Sequence, residues 1–181
     1  MLSLSKDENF CVVDNYISNE VSQMIYDLLT DPSFPWFYNS STIHDSSKDD
    51  EVYYDGPQFT HLFIKNKTIV SEYATTIAFL TKLHKKNILR LKANHQLNNF
   101  RSGISHFPHI DDETESQNLI NGIIFIHETD GDTLIFEGDQ SHRISPKVGR
   151  AIFMKGDVLH ASNSPLKTPN RVVLNVNIYK E

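Results

Sequence analysis

The sequence predicts an α+β fold, mainly β, whose β part is a sandwich or barrel. Three observations predict it. In the first 87 residues apolar side chains recur twice at helical spacing. From Ile88 onward short β-like runs follow one another, separated by turn signals, and helices first with many strands afterwards is the order of an α+β chain. The chain has 181 residues, 39% hydrophobic and 22% charged, which is ordinary globular composition and enough to bury a core. A single domain over 1–181 is expected, with N-terminal support over about 1–88 and a β core over about 89–180.

The elements follow in order. Phe10 to Val13 reads as a short buried strand. Ser18 is a plausible N-cap for a helix that carries Val21, Met24, Ile25, Leu28 and Leu29 on one face and stops at Asp31-Pro32. Residues 39–58 are polar and end in Gly56-Pro57, so they read as a loop. Phe59 to Ile64 reads as a strand. Thr68 to Asn87 reads as a second helix, with Ile69, Tyr73, Ile77, Leu80 and His84 in register. The later strands are expected at Leu89–Leu97, Leu119–His127, Thr133–Glu137, Gly149–Lys155, Val158–Ala161 and Arg171–Tyr179, with turns at Thr129 to Asp132 and at Gly156-Asp157.

Charge and composition narrow the function. The net charge is −6, which disfavours general binding of phosphate backbones or anionic membranes. No apolar run approaches the roughly 18 residues of a membrane span. Met1 to Asn9 has no basic segment leading into an apolar stretch, so no signal peptide is expected. Cys11 is the one cysteine, so no intrachain disulfide forms, a cysteine-based zinc knuckle is excluded, and the expected compartment is reducing and cytoplasmic. Nine histidines are a rich supply for metal or acid–base chemistry.

The segment His106-Phe-Pro-His-Ile-Asp111 holds a His-x-Asp pair at His109 and Asp111. On a strand, residues i and i+2 face the same way, so both side chains can point at one metal ion. His160, at the end of a later strand, is the candidate third ligand. Two imidazoles and one carboxylate on one face of an octahedron leave three positions open, the arrangement of non-haem Fe(II) oxygenases. Arg171 opens the last strand, where its guanidinium can grip a carboxylate bidentately.

These residues carry a resemblance. From about Leu89 to Tyr179 the chain resembles the Fe(II)/2-oxoglutarate-dependent oxygenases, and most closely their prolyl 4-hydroxylase-like branch. The matching stretches are Asn98-Asn-Phe-Arg-Ser-Gly103 followed by His109-Ile-Asp111, Gly122 to Thr133, Ser145 to Phe153, Leu159 to Pro165, and Arg171-Val-Val-Leu-Asn-Val; Phe10 to Ser18 resembles the opening strand and helix start. The resemblance implies a double-stranded β-helix, or jelly roll, with N-terminal helices packed on one sheet. It implies Fe(II) on His109, Asp111 and His160, with the far carboxylate of 2-oxoglutarate on Arg171. O2 is the other cosubstrate and ascorbate a stimulant. The implied reaction hydroxylates a substrate C–H bond and releases succinate and CO2.

The chain departs from that branch where tyrosines are usual, with Phe100, His106 and Phe125, and it carries Val173 where a serine often follows the arginine. Arg171 therefore needs other partners, and Asn94, Asn98 and Thr133 are candidates, with Asn94 preferred and Asn98 the second choice for cosubstrate binding. His106 is read either as lining the pocket or as a plain strand histidine. His44, His127 and His142 read as surface histidines, His84 as half-buried and structural, and Trp36 as part of an aromatic cluster. Asp112, Glu113 and Glu115 form either an acidic rim or a solvated loop. Lys82, Lys85, Lys86, Arg90 and Lys92 read as the exposed end of the second helix. The expected substrate is a protein or peptide, held by the 39–58 and 111–118 loops, or else a free small molecule. An AlkB-type nucleic-acid demethylase is a competing enzyme class, and a jelly-roll binding module is the competing non-enzyme. The intact set of four metal- and carboxylate-binding residues argues against the module.

Overall fold

A computed structural model of the chain describes residues 4, 8–41, 53–54, 56–98 and 105–180. The strands are β1 (Phe10–Val13), β2 (Phe37–Asn39), β3 (Tyr53–Tyr54), β4 (Gln58–Lys65), β5 (Thr68–Ile69), β6 (Ile88–Leu97), β7 (Ser105–His106), β8 (Leu119–Phe125), β9 (Thr133–Glu137), β10 (Gln140–Ile144), β11 (Ala151–Lys155), β12 (His160–Ser162) and β13 (Asn170–Tyr179). The α-helices are α1 (Asn19–Thr30) and α2 (Ala74–Leu80). The large sheet runs β1-β11-β8-β13-β6-β4-β2, with β5 paired to β4. A three-stranded sheet runs β10-β9-β12, and β3 pairs with β7.

Period two sorts the long strands between two cores. On β13, Val172, Leu174 and Val176 face the helices and pack with Ile25, Leu29 and Ile77. Val173 faces the other way and packs with Phe125, Ile135 and Ile152. The helices therefore cover one face of the large sheet, and the three-stranded sheet covers the other. This is the expected jelly roll with helices on one sheet. The N-terminal part also supplies strands β1, β2, β4 and β5 to that sheet, beyond helical support alone.

Helix α1 starts where its cap chemistry places it, because the Ser18 hydroxyl accepts from the Val21 amide. Met24, expected on the buried face, is 58% exposed. The second helix is shorter than the expected 68–87. Asn66 and Lys67 take positive φ and fold β5 back onto β4 in a hairpin, so Ile69 pairs with Ile64 instead of joining a helix. At the other end Lys82 has φ +57 and the Leu83 amide returns to the Ala78 carbonyl, which closes α2. His84 lies beyond that stop and is exposed, not half-buried. The basic cluster divides accordingly. Lys82, Lys85 and Lys86 stay in the exposed connection, whereas Arg90 and Lys92 enter β6.

Candidate active site

His109 and His160 are joined by a two-way backbone pair, 2.9 Å from the His109 amide and 3.1 Å from the His160 amide. His109 sits in an isolated bridge after β7, not inside a longer strand, and the bridge itself brings the two rings together at 4.8 Å between centroids. Each ring is then fixed by a carbonyl two residues back. His109 Nδ1 faces the Phe107 carbonyl and His160 Nδ1 the Val158 carbonyl, each at 3.1 Å. Nδ1 carries the proton and donates, so both Nε2 lone pairs are free for a metal. One donor atom each from His109, Asp111 and His160 lies within 4.8 Å of the others.

Asp111 is held from the floor of the large sheet. Its Oδ1 pairs with Arg90 Nη2 at 2.8 Å and its Oδ2 accepts from Asn177 Nδ2 at 2.9 Å. Asn177 also donates to Asn121 Oδ1 and accepts from Arg90 Nε. Burial opposes ionisation of Asp111, but Arg90 chiefly outweighs it and holds the carboxyl well below the usual range. Burial pushes His109 down to about 4, with His160 reinforcing it. At neutral pH the set is thus one carboxylate and a neutral His109 imidazole, the forms that bind a divalent cation.

Arg171 lies in the same cleft, which is also lined by His109, His160, Lys92 and Asn94. It is 2% exposed, and three acceptors aim it. Nε donates to the Gly131 carbonyl at 2.8 Å, Nη1 to Gln96 Oε1 at 3.2 Å and Nη2 to Thr133 Oγ1 at 3.0 Å. A guanidinium has five N–H donors, so one on each terminal nitrogen remains for a carboxylate. Burial lowers its pKa to about 10, which leaves it charged at pH 7. Gly131 permits this approach, since a Cβ there would stand 2.6 Å from Arg171 Cδ and 2.7 Å from the Asn163 carbonyl oxygen. The acidic hairpin holds the facing loop, with Asp130 accepting from the amides of Leu166, Lys167 and Thr168.

Of the candidate partners of Arg171, Thr133 makes the contact. Asn94 lines the cleft without touching the guanidinium through a hydrogen bond, and Asn98 donates to the Leu166 carbonyl at 2.6 Å and does not line the cleft. Gln96 carries no signal in the sequence. It stands directly across from Arg171 in the β6–β13 register. Phe125 is fully buried, with its ring 5.9 Å from the guanidinium carbon. His106 is buried and bonded to Ser164 Oγ, and it lies outside the cleft lining. His127 is not a surface histidine: its Nε2 accepts from the Val172 amide and its ring packs on Tyr26. His142 lies on β10 against Glu137. Trp36 joins the aromatic cluster and donates to the Leu29 carbonyl. Asp112 caps its own turn through the amides of Thr114 and Glu115. Phe100, His44 and most of the 39–58 loop lie outside the described residues.

Solved structures share this architecture. A 2OG-Fe(II) oxygenase family oxidoreductase from Burkholderia pseudomallei superposes with a TM-score of 0.73 at 11% identity, over 97% of this chain and 87% of that one. A prolyl hydroxylase from Trichoplax adhaerens, solved with a hypoxia inducible factor oxygen degradation domain peptide, gives 0.62 at 10% identity over 96% and 79%. HygX from Streptomyces hygroscopicus, with nickel and 2-oxoglutarate bound, gives 0.63 at 8% identity over 98% and 87%. The sequence matches no protein-family model and no curated protein. The chain has the double-stranded β-helix fold of the 2-oxoglutarate-Fe(II) oxygenases. Among the described residues no helix is long and apolar enough to cross a membrane.

Proposed function

We propose that this chain is an Fe(II)- and 2-oxoglutarate-dependent dioxygenase that hydroxylates a substrate C–H bond, acting as a prolyl-hydroxylase-like enzyme on a peptide in the cytoplasm. The carrying observation is the convergence of His109, Asp111 and His160 in one cleft with Arg171. Two imidazole nitrogens and a carboxylate suit a divalent iron and leave three coordination positions open. With 2-oxoglutarate and O2, bound iron supplies the oxidative decarboxylation that yields succinate and CO2 and the oxidising power for hydroxylation. The chain's own residues do the rest. Arg90 and Asn177 keep Asp111 ionised and oriented. The Phe107 and Val158 carbonyls select the histidine tautomers. Arg171 holds the far carboxylate and so sets where the reacting end lies. The peptide reading draws support from the peptide-bound prolyl hydroxylase of the same fold. On the same reading the chain is one domain over 1–181.

The test is anaerobic addition of Fe(II) and then 2-oxoglutarate to metal-free protein. A visible iron-to-cosubstrate charge-transfer band should need both additions and vanish in His160→Ala. A well-folded wild type without the band refutes the reading. Arg171→Ala should raise the 2-oxoglutarate requirement at least 10-fold, since a charge-assisted hydrogen bond is worth roughly 1.5–3 kcal/mol.

A further inference from the structure

A serine and a histidine are in contact away from the cleft, at the β4 edge of the large sheet. His61 lies on β4 and Ser71 in the turn between β5 and α2, and His61 Nε2 stands 2.8 Å from Ser71 Oγ. On its other side His61 Nδ1 lies 2.8 Å from the Pro35 carbonyl oxygen. A carbonyl only accepts, so Nδ1 carries the ring proton and Nε2 keeps a lone pair. The Ser71 hydroxyl then donates to Nε2. The set is a nucleophile, a base within hydrogen-bond reach and a third group that orients the base.

The surroundings complete the set. The His61 ring is buried and packs on Phe34 and Phe63, with centroids 4.6 and 4.7 Å away. These rings fix its orientation and attract the imidazolium that forms when it takes a proton. The Tyr73 amide donates to Ser71 Oγ at 3.3 Å, which favours negative charge developing on that oxygen. One lone pair of Oγ remains for attack. Both residues line a pocket of about 470 Å³ walled by Phe37, Leu62, Val70 and Tyr73, a volume that takes a small ligand. Phe37 and Val70 are 62% and 52% exposed, so the pocket opens to solvent. The exposed carboxylate of Glu72 stands in the same lining and disfavours anions. Among the described residues this lining shares none with the cleft.

We infer that Ser71 and His61 form a second catalytic site, a nucleophile–base dyad that hydrolyses neutral esters with a compact apolar acyl group. Ser71 Oγ adds to the ester carbonyl carbon, and its proton passes to His61 Nε2. The bond from the acyl carbon to the leaving oxygen breaks, and the departing alcohol takes that proton. Water then attacks the acyl-serine and gives a proton to His61. The bond from Ser71 Oγ to the acyl carbon breaks, the acid leaves, and Ser71 regains its proton from His61. The sum is ester and water to acid and alcohol, with no change of oxidation state. The Pro35 carbonyl is a positioning group, since it acts only through the His61 tautomer. The apolar walls take the acyl group.

Two measurements on the full-length, metal-free protein test it. The first treats wild type with a fluorophosphonate probe and maps the adduct by peptide mass spectrometry. The adduct should sit on Ser71, and no adduct, or one on another residue alone, overturns the inference. The second follows release of p-nitrophenol from p-nitrophenyl acetate. Ser71→Ala and His61→Gln should each lower the rate above the buffer blank at least 10-fold, the lower end of what a positioned base contributes. Equal rates in wild type and folded Ser71→Ala overturn it, because the hydrolysis would then come from other side chains. Thermal melts report folding of each variant. Mapping of the adduct needs wild type alone, so it decides the matter even where the buried His61→Gln variant does not fold.

Discussion

Thr133→Val isolates one of the three bonds that aim Arg171. Thr133 is fully buried, and its hydroxyl accepts from Nη2 at 3.0 Å. Valine keeps the shape of the side chain and removes the acceptor. A charged N–H then loses its partner where water does not replace it, at a cost of about 1.5–3 kcal/mol. For a chain of this size each kcal/mol lowers Tm by about 2–4 °C, so the melt should fall by roughly 3–12 °C. The bonds to the Gly131 carbonyl and Gln96 remain, so the variant should fold. Urea unfolding at pH 7 without ligand measures the stability, and titration with 2-oxoglutarate measures the consequence for the site. Affinity should also fall, because a guanidinium with two tethers is less well aimed than one with three. Thr133→Ser keeps the hydroxyl and should retain most of both properties. A stability loss under about 0.5 kcal/mol with unchanged affinity would show that Thr133 does not position Arg171.

Three further outcomes follow from the same structure. Asn177→Leu removes a donor from Asp111, and Zn(II) affinity by competition with a chromophoric chelator should drop about 10–100-fold; unchanged affinity would mean Arg90 alone orients the carboxylate. Gly131→Ala drives a methyl group into Arg171 and the Asn163 carbonyl, so it should cost about 1–3 kcal/mol in urea unfolding and weaken 2-oxoglutarate; a neutral result would mean the hairpin moves aside freely. His127 is held down to about 4, chiefly by burial and then by Arg171, against 6.5 when unfolded. As pH falls from 6.5 to 4 the unfolded chain takes up a proton that the folded one refuses, so stability falls by up to about 3 kcal/mol across that window and is fully present above it. His127→Gln keeps an acceptor for the Val172 amide and should flatten this part of the profile, whereas parallel profiles would assign the acid loss elsewhere.

The large elements are legible because their signals are local. The Ser18 cap, the Asp31-Pro32 stop and the alternating apolar strands each follow from neighbours a few residues apart. The expected helix over 68–87 fails for a local reason as well, since the positive-φ turn at Asn66 and Lys67 overrides a helical pattern of apolar residues. The triad is legible because His109 and Asp111 are two apart and the spacing to His160 and Arg171 resembles a known family.

The polar floor of the cleft is written in the sequence but not readable from it. Arg90, Lys92, Asn94 and Gln96 alternate at period two, which on an ordinary half-buried strand marks the solvent face. By local signals alone the basic residues belong to an exposed helix end. Only the second sheet, folding over that face, turns it into the interior of a cleft. Only the register of β6 against β13 sets Gln96 beside Arg171 and Lys92 beside Asn175. Residues 75 positions apart in sequence become hydrogen-bonded neighbours there. The sequence by itself singled out His109, Asp111, His160 and Arg171 as candidates for metal and carboxylate chemistry. The tertiary structure decided which polar residues are buried beside them, because burial belongs to the packing of distant strands and has no signature in any short window.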